Sequence, residues 1–345
     1  MVEFRHFHAA HCESGVTAAL LRHQGLELSE PMVFGLGSGL FFCFPPFVKV
    51  MGMPLISFRS YPGNIFKLVC KRLGIEYERS TFRSTERGKR KLDELLARET
   101  PVGLQTNMFW LSYFPSEFRS QFNGHNLIAL AQESDGYRLS DPMLEETVHL
   151  DEDALERARF AKGVLAPRGA LYYPSFVPKN PDISQAIKVA IKDGAKRMMD
   201  PVPIIGVHGI RRLARGVRSW KSKERRKQKL LLGHVIRMQE EVGSGGAGFR
   251  FMYAAFLQEA GERLDHQPWL EASERMTEAG DCWRSKFAGA CARIIKNRGE
   301  DTLDDVADAL VECADKETAL YRFLLKNAPS KNVHSLSTDT AAASR

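Results

Sequence analysis

With 345 residues, 43% of them hydrophobic and 26% charged, the chain can bury a sizeable core, which excludes a disordered or fibrous protein. No apolar run approaches the roughly 18 residues of a membrane span, and the start, Met1 to His6, lacks the basic-then-apolar layout of a secretory signal, so the expected compartment is the cytoplasm. The net charge of +7 suits an anionic partner, and six cysteines, at 12, 43, 70, 282, 291 and 313 with no close pairing, predict free thiols rather than a disulfide framework or zinc ribbon.

In chain order, His11-Cys12-Glu13-Ser14-Gly15 stands directly ahead of an apolar run that predicts a helix ending near Gly25. A cysteine at the mouth of a helix faces unpaired backbone N–H groups and the positive end of the macrodipole, which favour thiolate over thiol. Cys12 is therefore a candidate nucleophile; the competing reading is a small, buried, inert hydrophobe. Ser29-Glu30-Pro31 starts a short second helix. The glycine-rich stretch Phe34-Gly35-Leu36-Gly37-Ser38-Gly39 precedes an aromatic strand at 40–44, whereas phosphate loops precede a helix and carry Lys-Ser/Thr. It is expected to be a tight loop that brings backbone close to a site, with Gly37, Ser38 and Gly39 as pocket candidates.

Strands are expected at 54–58, 76–82, 101–106, 108–113, 126–132, 137–140 and 170–173, and helices at 64–73 and 84–98 and from 151 on. Asp135-Gly136 between two of the strands is a hairpin signal. Proline-punctuated 174–181 then reads as a linker, and 183–198, 204–217, 224–241, 249–264, 269–297 and 303–326 have helical spacing. The expected class is α+β: an N-terminal domain with an antiparallel sheet at 1–174, a mostly α-helical domain at 175–328, and a Ser/Thr/Ala-rich disordered tail at 329–345.

A thiol nucleophile needs a base within reach and a third group to orient that base. His125 opens an apolar strand, and Asp141 closes the next strand of the same inferred hairpin. Strands joined by a tight turn bring their outer ends together, so His125 and Asp141 are expected to be neighbours.

Nucleophile on an early helix, His at a strand start and Asp after the following strand resembles the papain-like cysteine enzymes, notably the bacterial branch that includes bacteriocin leader peptidases. More specifically, His11-Cys12-Glu13-Ser14-Gly15, the glycine-rich stretch at 34–39, Gly124-His125-Asn126 and Asp141-Pro142 look like the N-terminal domain of the butirosin biosynthesis protein H family. The stretch at 243–257, GSGGAGFRFMYAAFL, resembles the helical domain that accompanies it. The resemblance implies acyl transfer from an acyl carrier protein to a small-molecule amine, giving an amide in antibiotic or other secondary-metabolite biosynthesis. It implies Cys12 as nucleophile, His125 as base and then acid, and Asp141 as orienting carboxylate, with the Cys12 backbone N–H as one oxyanion donor. Papain-like enzymes usually carry a glutamine upstream as the second donor; here His6 stands six residues before Cys12, and His11 lies beside it in the pocket. No cofactor or metal is expected.

The basic run 211–229 has ten basic residues against Glu224 alone. Arg211, Arg212, Arg225 and Arg226 are candidates to meet an acidic carrier protein, the plain alternative being a solvated helix face. Three rival functions remain: a cysteine hydrolase with the same triad, a metal site built from His6, His8, His11 and Cys12, and a nucleic-acid-binding protein using the basic run. No membrane partner is expected, and the sequence leaves the acyl group, acceptor and oligomeric state open.

Overall fold

The computed structural model describes residues 4–50, 52–241 and 246–328. The expected tail at 329–345 and positions 243–245 of the glycine-rich loop lie outside them. Helix α1 spans Cys12–His23 and is buried from Cys12 to Leu21. It ends as its sequence requires: Gly25 takes φ 84°, and the N–H groups of Gly25 and Leu26 return to the carbonyls of Arg22 and Leu21 at 2.9 and 3.0 Å. Helix α2, Glu30–Leu36, is capped by the Ser29 side chain, which accepts from the Met32 N–H. Half of the glycine-rich stretch is therefore helical rather than loop. The glycines serve packing: a Cβ on Gly35 would meet the Phe256 ring at 2.1 Å, on Gly37 the Ile65 backbone at 2.8 Å, and on Gly39 the Phe34 ring at 2.4 Å.

Strand β1 (Leu40–Cys43) leads to a small hairpin of β2 (Lys49–Val50) and β3 (Met53–Pro54), and β4 (Ser57–Arg59) then pairs antiparallel with β1. After helix α3 (Asn64–Leu73) come strand β5 (Glu76–Ser80), helix α4 (Thr85–Leu96), strands β6 (Val102–Thr106), β7 (His125–Gln132), β8 (Gly136–Ser140) and β9 (Val148–Asp151), helix α5 (Glu152–Arg159) and strand β10 (Leu171–Phe176). The main sheet has six strands in the order β5-β10-β6-β7-β8-β9, each neighbouring pair antiparallel. Strand β7 reads as continuously apolar because both its faces are covered. Ile128 and Leu130 join the cluster that includes α1, while Leu127 and Ala129 join Leu92 and Leu95 of α4 and Leu155 and Ala158 of α5.

The helical half comprises α6 (Ile183–Met198), α7 (Gly206–Ser219), α8 (Arg225–Glu240), α9 (Arg250–Arg263), α10 (Gln267–Asp281), α11 (Gly289–Lys296) and α12 (Leu303–Lys326). It packs against the first half through one continuous apolar cluster that runs from Val16 and Phe34 through Phe58 to Phe256, Trp283 and Leu324. At its centre Arg250 and Glu317, both fully buried, pair at 3.0 and 3.2 Å, and the Trp283 indole N–H donates to the same carboxylate at 2.6 Å. The Arg250 guanidinium lies 4.8 Å from the Trp283 ring and 5.6 Å from the Phe58 ring.

Three expectations need correction, and one strand was not expected. The strand at 108–113 is a 3-10 turn, Met108–Trp110, because the Asn107 side chain accepts from the Phe109 N–H at 2.9 Å and closes a turn. Strand β9 has no sequence expectation, because its four residues, Val148–Asp151, alternate weakly at the sheet edge. Strand β10 continues through Pro174 to Phe176, with a register irregularity that accommodates the proline inside the expected linker. The long helix at 269–297 is broken by a π-helical segment, Cys282–Ala288.

Candidate active site

The hairpin of β7 and β8 does what its sequence implies. Ile128 pairs with Ser140, so His125 at the start of β7 and Asp141 just past β8 lie at the same end. His125 Nε2 is 2.6 Å from Asp141 Oδ2. With Nε2 engaged by the carboxylate, Nδ1 is the nitrogen left for Cys12, whose Sγ lies 4.0 Å from the Gly124 carbonyl, next to His125 in the chain, and whose ionisation is coupled to that of His125. The structure thus brings Cys12, His125 and Asp141 together, at 8%, 3% and 0% exposure.

The electrostatics follow from burial opposed by partners. Burial pushes the Cys12 thiol up, but the hydrogen bond and charge of His125, the charge of Arg59 and the Asn126 backbone N–H outweigh it, leaving its pKa below the ordinary value. Burial pulls His125 down, yet the Asp141 carboxylate and the Cys12 sulfur raise it to about 10. For Asp141, burial is outweighed by His125, the Tyr113 hydroxyl and the Met143 N–H, and its carboxyl lies below the usual range. The resting state these directions favour is a thiolate–imidazolium pair backed by a carboxylate.

Several members of this site carried no expectation. Tyr113, from the connection between β6 and β7, donates its hydroxyl to Asp141 Oδ2 at 2.7 Å, and the Met143 N–H donates to Oδ1 at 3.0 Å, so both carboxylate oxygens are held. Asn126 places Nδ2 4.0 Å from Cys12 Sγ; its amide is oriented by the Tyr172 hydroxyl, which donates to Oδ1 at 2.8 Å, and by the Gly124 carbonyl, 3.0 Å from Nδ2. Arg59 of β4 holds both chain neighbours of the nucleophile. One N–H donates to His11 Nε2 at 2.7 Å, and another pairs with the Glu13 carboxylate. Glu13 is 0% exposed and also accepts from the Ile65 N–H at 2.9 Å. A sequence signal existed for Glu13, a carboxylate beside a buried nucleophile, and for Asn126, an amide following the base. Nothing marked Tyr113 or Arg59.

His11 is the N-cap of α1. A guanidinium can only donate, so His11 Nε2 is the acceptor and the neutral ring carries its proton on Nδ1. That proton faces Ser14 Oγ at 2.9 Å, whose own hydrogen goes to Glu30 Oε1 at 2.9 Å. Glu30 fixes the chain ahead of the helix by accepting from the N–H groups of Ala10 and His11 at 2.9 and 2.8 Å. Burial, Arg59 and His125 push the His11 pKa well below its ordinary value.

His6 lies elsewhere. Its Nδ1 is 2.8 Å from Ser140 Oγ and its Nε2 donates to the Leu144 carbonyl at 3.0 Å, so the ring brackets the Asp141 turn and has no N–H left for an oxyanion. His8 faces Glu145 at 3.9 Å. The residues His6, His8, His11 and Cys12 therefore diverge, and among the described residues no three His, Cys, Asp or Glu side chains are grouped to hold a metal ion. Gly37 and Gly39 are packed against Ile65 and Phe34, and the Ser38 hydroxyl accepts from Arg72 at 2.8 Å, so this loop is part of the core rather than a pocket wall.

Three of the ten basic residues of the run are matched by acids from within. Arg211 pairs with Asp315 at 2.5 Å, Arg218 with Asp308, and Lys221 with Asp304, all three acids on α12, while Arg225 donates to Asn297 at 2.9 Å. Arg212 is half-buried and Arg226 is exposed. No helix among the described residues is long and apolar enough to cross a membrane.

Residues 11–142 match the family model described as Butirosin biosynthesis protein H, N-terminal, and residues 153–324 match Domain of unknown function (DUF4872). No curated protein matches the chain. Among solved structures it is similar to a protein assigned as a C39-like peptidase from Bacillus anthracis, at 15% identity over 52% of this chain and 98% of that one, with a TM-score of 0.36. Residues 11–142, which span Cys12, His125 and Asp141, thus belong to the family of butirosin biosynthesis protein H N-terminal domains, and a DUF4872 domain follows them.

Proposed function

We propose that this protein is a cysteine acyltransferase that moves an acyl group from an acyl carrier protein thioester to an amine, forming an amide in secondary-metabolite biosynthesis. The observation that carries the reading is the buried Cys12–His125–Asp141 assembly, a nucleophile electrostatically coupled to a base that is itself held by an orienting carboxylate at 2.6 Å. The Cys12 thiolate attacks the thioester carbonyl, and the oxyanion develops beside the Cys12 backbone N–H at the start of α1. The C–S bond to the carrier breaks, and the departing carrier thiolate takes the His125 proton. The acceptor amine then attacks the acyl-enzyme, giving its proton to His125 as Cys12 leaves as thiolate, which closes the cycle with the amide released.

Burial supports transfer, since a dry site limits water as the competing acceptor. The exposed Arg226, with Arg225 at the same helix start, remains available to an acidic carrier surface. The test supplies the protein with a carrier bearing a defined acyl thioester and a panel of amines, and separates amide from free acid by mass spectrometry. Amide formation abolished in Cys12→Ala supports transfer. Free acid alone, at the same rate with or without amine, makes the protein a hydrolase.

A further inference from the structure

The helical half has no assigned role, yet it reaches the nucleophile. Between α8 and α9 the backbone takes four consecutive positive φ values: Gly246 at 91°, Ala247 at 49°, Gly248 at 55° and Phe249 at 69°. Glycine accepts this region freely; Ala247 and Phe249 do not, and such outliers persist only where the surroundings over-determine them. The surroundings here are specific. A Cβ on Gly248 would meet the Phe58 ring at 2.3 Å, so the run lies directly on β4, one residue from Arg59. Arg250, locked to Glu317, donates to the Gly248 carbonyl at 2.9 Å and fixes the turn from the other side.

What this backbone delivers is a ring. Phe249, 1% exposed, stacks on Phe34 of α2 at 5.1 Å and 16°, and meets the His11 imidazole edge-on at 5.1 Å and 87°. Phe34 closes the corner, edge-on to His11 at 5.9 Å. His11 therefore sits between two aromatic rings, and every polar group facing it belongs to the first half: Arg59 on β4, Glu13 and Ser14 on α1, Glu30 on α2 and His125 on β7.

We infer that the helical half supplies a positioning residue for the nucleophile: Phe249, wedged against His11 by the left-handed run, keeps that imidazole dry and neutral so that, at the N-cap position of α1, it accepts from Arg59. The chemistry explains why dryness matters. Neutral His11 accepts from the guanidinium; protonated, it would present N–H and positive charge to Arg59 instead. The grip of Arg59 on both neighbours of Cys12 would be lost, and a misplacement of about 1 Å at a reacting atom can cost on the order of a hundredfold in rate. This rests on Cys12 as the nucleophile and not on the choice between transfer and hydrolysis.

The test is the rate of Cys12 alkylation by iodoacetamide, followed by peptide mass mapping from pH 5.5 to 8.5, in wild type, Phe249→Gly, Phe249→Leu and Leu310→Ala. Phe249→Gly removes the ring while easing the backbone, and Phe249→Leu keeps apolar bulk. Leu310, fully buried on α12, serves as a control for lost stability. Water reaching His11 returns it toward its ordinary value of about 6.5, so the Phe249→Gly rate relative to wild type should fall about tenfold between pH 7.5 and 5.5. Phe249→Leu should show a smaller fall in the same window, and Leu310→Ala none despite a lower Tm. A relative rate for Phe249→Gly that is flat with pH, or a fall shared by Leu310→Ala, overturns the inference. Wild-type Cys12 no more reactive than the other cysteines would overturn the nucleophile assignment itself, and the inference with it.

Discussion

Replacing Cys12 by alanine should change how stability depends on pH, in a direction fixed by the charges of the site. A group whose pKa is raised on folding stabilises fully below its unfolded value and loses that contribution as pH rises through its folded value; for His125 the loss runs from about 6.5 in the unfolded chain to about 10 in the native one. A group whose pKa is lowered does the reverse, so Cys12 gains its contribution as pH rises toward its unfolded value of about 8.5. Above about pH 6.5, over the range in which the native thiol has ionised and the unfolded one, at about 8.5, has not, the native site holds the imidazole proton and lacks the thiol proton, while the unfolded chain holds the thiol proton and lacks the imidazole one. The proton counts match, and the site's contribution is flat. In Cys12→Ala the Asp141 carboxylate, the larger of the two raising influences on His125, remains. While His125 keeps that proton, the variant binds one more proton folded than unfolded, and its stability relative to wild type should fall by about 1.4 kcal/mol per pH unit over that range. Urea melts of both proteins at half-unit steps from pH 6 to 9 measure this difference. Parallel curves throughout would mean that the native thiol keeps its proton, and the ion-pair description of the site would be wrong.

Two other perturbations probe the supports and the surface. Arg59→Met leaves the Glu13 carboxylate buried with only the Ile65 N–H to meet it; stranding one member of a buried pair costs about 3 to 5 kcal/mol, to be read as a lower urea midpoint, and a loss below 1 kcal/mol would make this clamp incidental. Charge reversal of Arg225 and Arg226 should slow carrier-dependent turnover at low salt and converge with wild type at high salt, whereas unchanged turnover at low salt would remove them from the carrier surface.

The reacting groups were legible in the sequence because each depends on local rules. A helix start ahead of Val16 places Cys12, and a hairpin turn at Asp135-Gly136 brings His125 to Asp141. What was not legible depends on packing between distant segments. Arg59 is one arginine among many until β4 lies beside α1, and Tyr113 sits in a connection whose run of large apolar residues, Met108 to Leu111, imitates a strand. His6 matched a donor position by spacing alone, but Ser140 and Leu144 claim both its nitrogens. The basic run looked unopposed because its acids, Asp304, Asp308 and Asp315, lie about ninety residues downstream on one face of α12. The glycines at 35–39 suggested a tight loop beside a site, whereas the side chains that fill their missing Cβ positions come partly from the other half of the chain.

The most direct measurement is the site of covalent attachment after brief exposure to an acyl carrier thioester. Rapid acid quenching, intact mass and peptide mapping should show one acyl group on Cys12 in wild type, a slower adduct at the same residue in Asp141→Asn, and none in Cys12→Ala. An acyl group that persists in Cys12→Ala, or maps to another cysteine in wild type, would contradict Cys12 as the nucleophile and with it the mechanism built on His125 and Asp141.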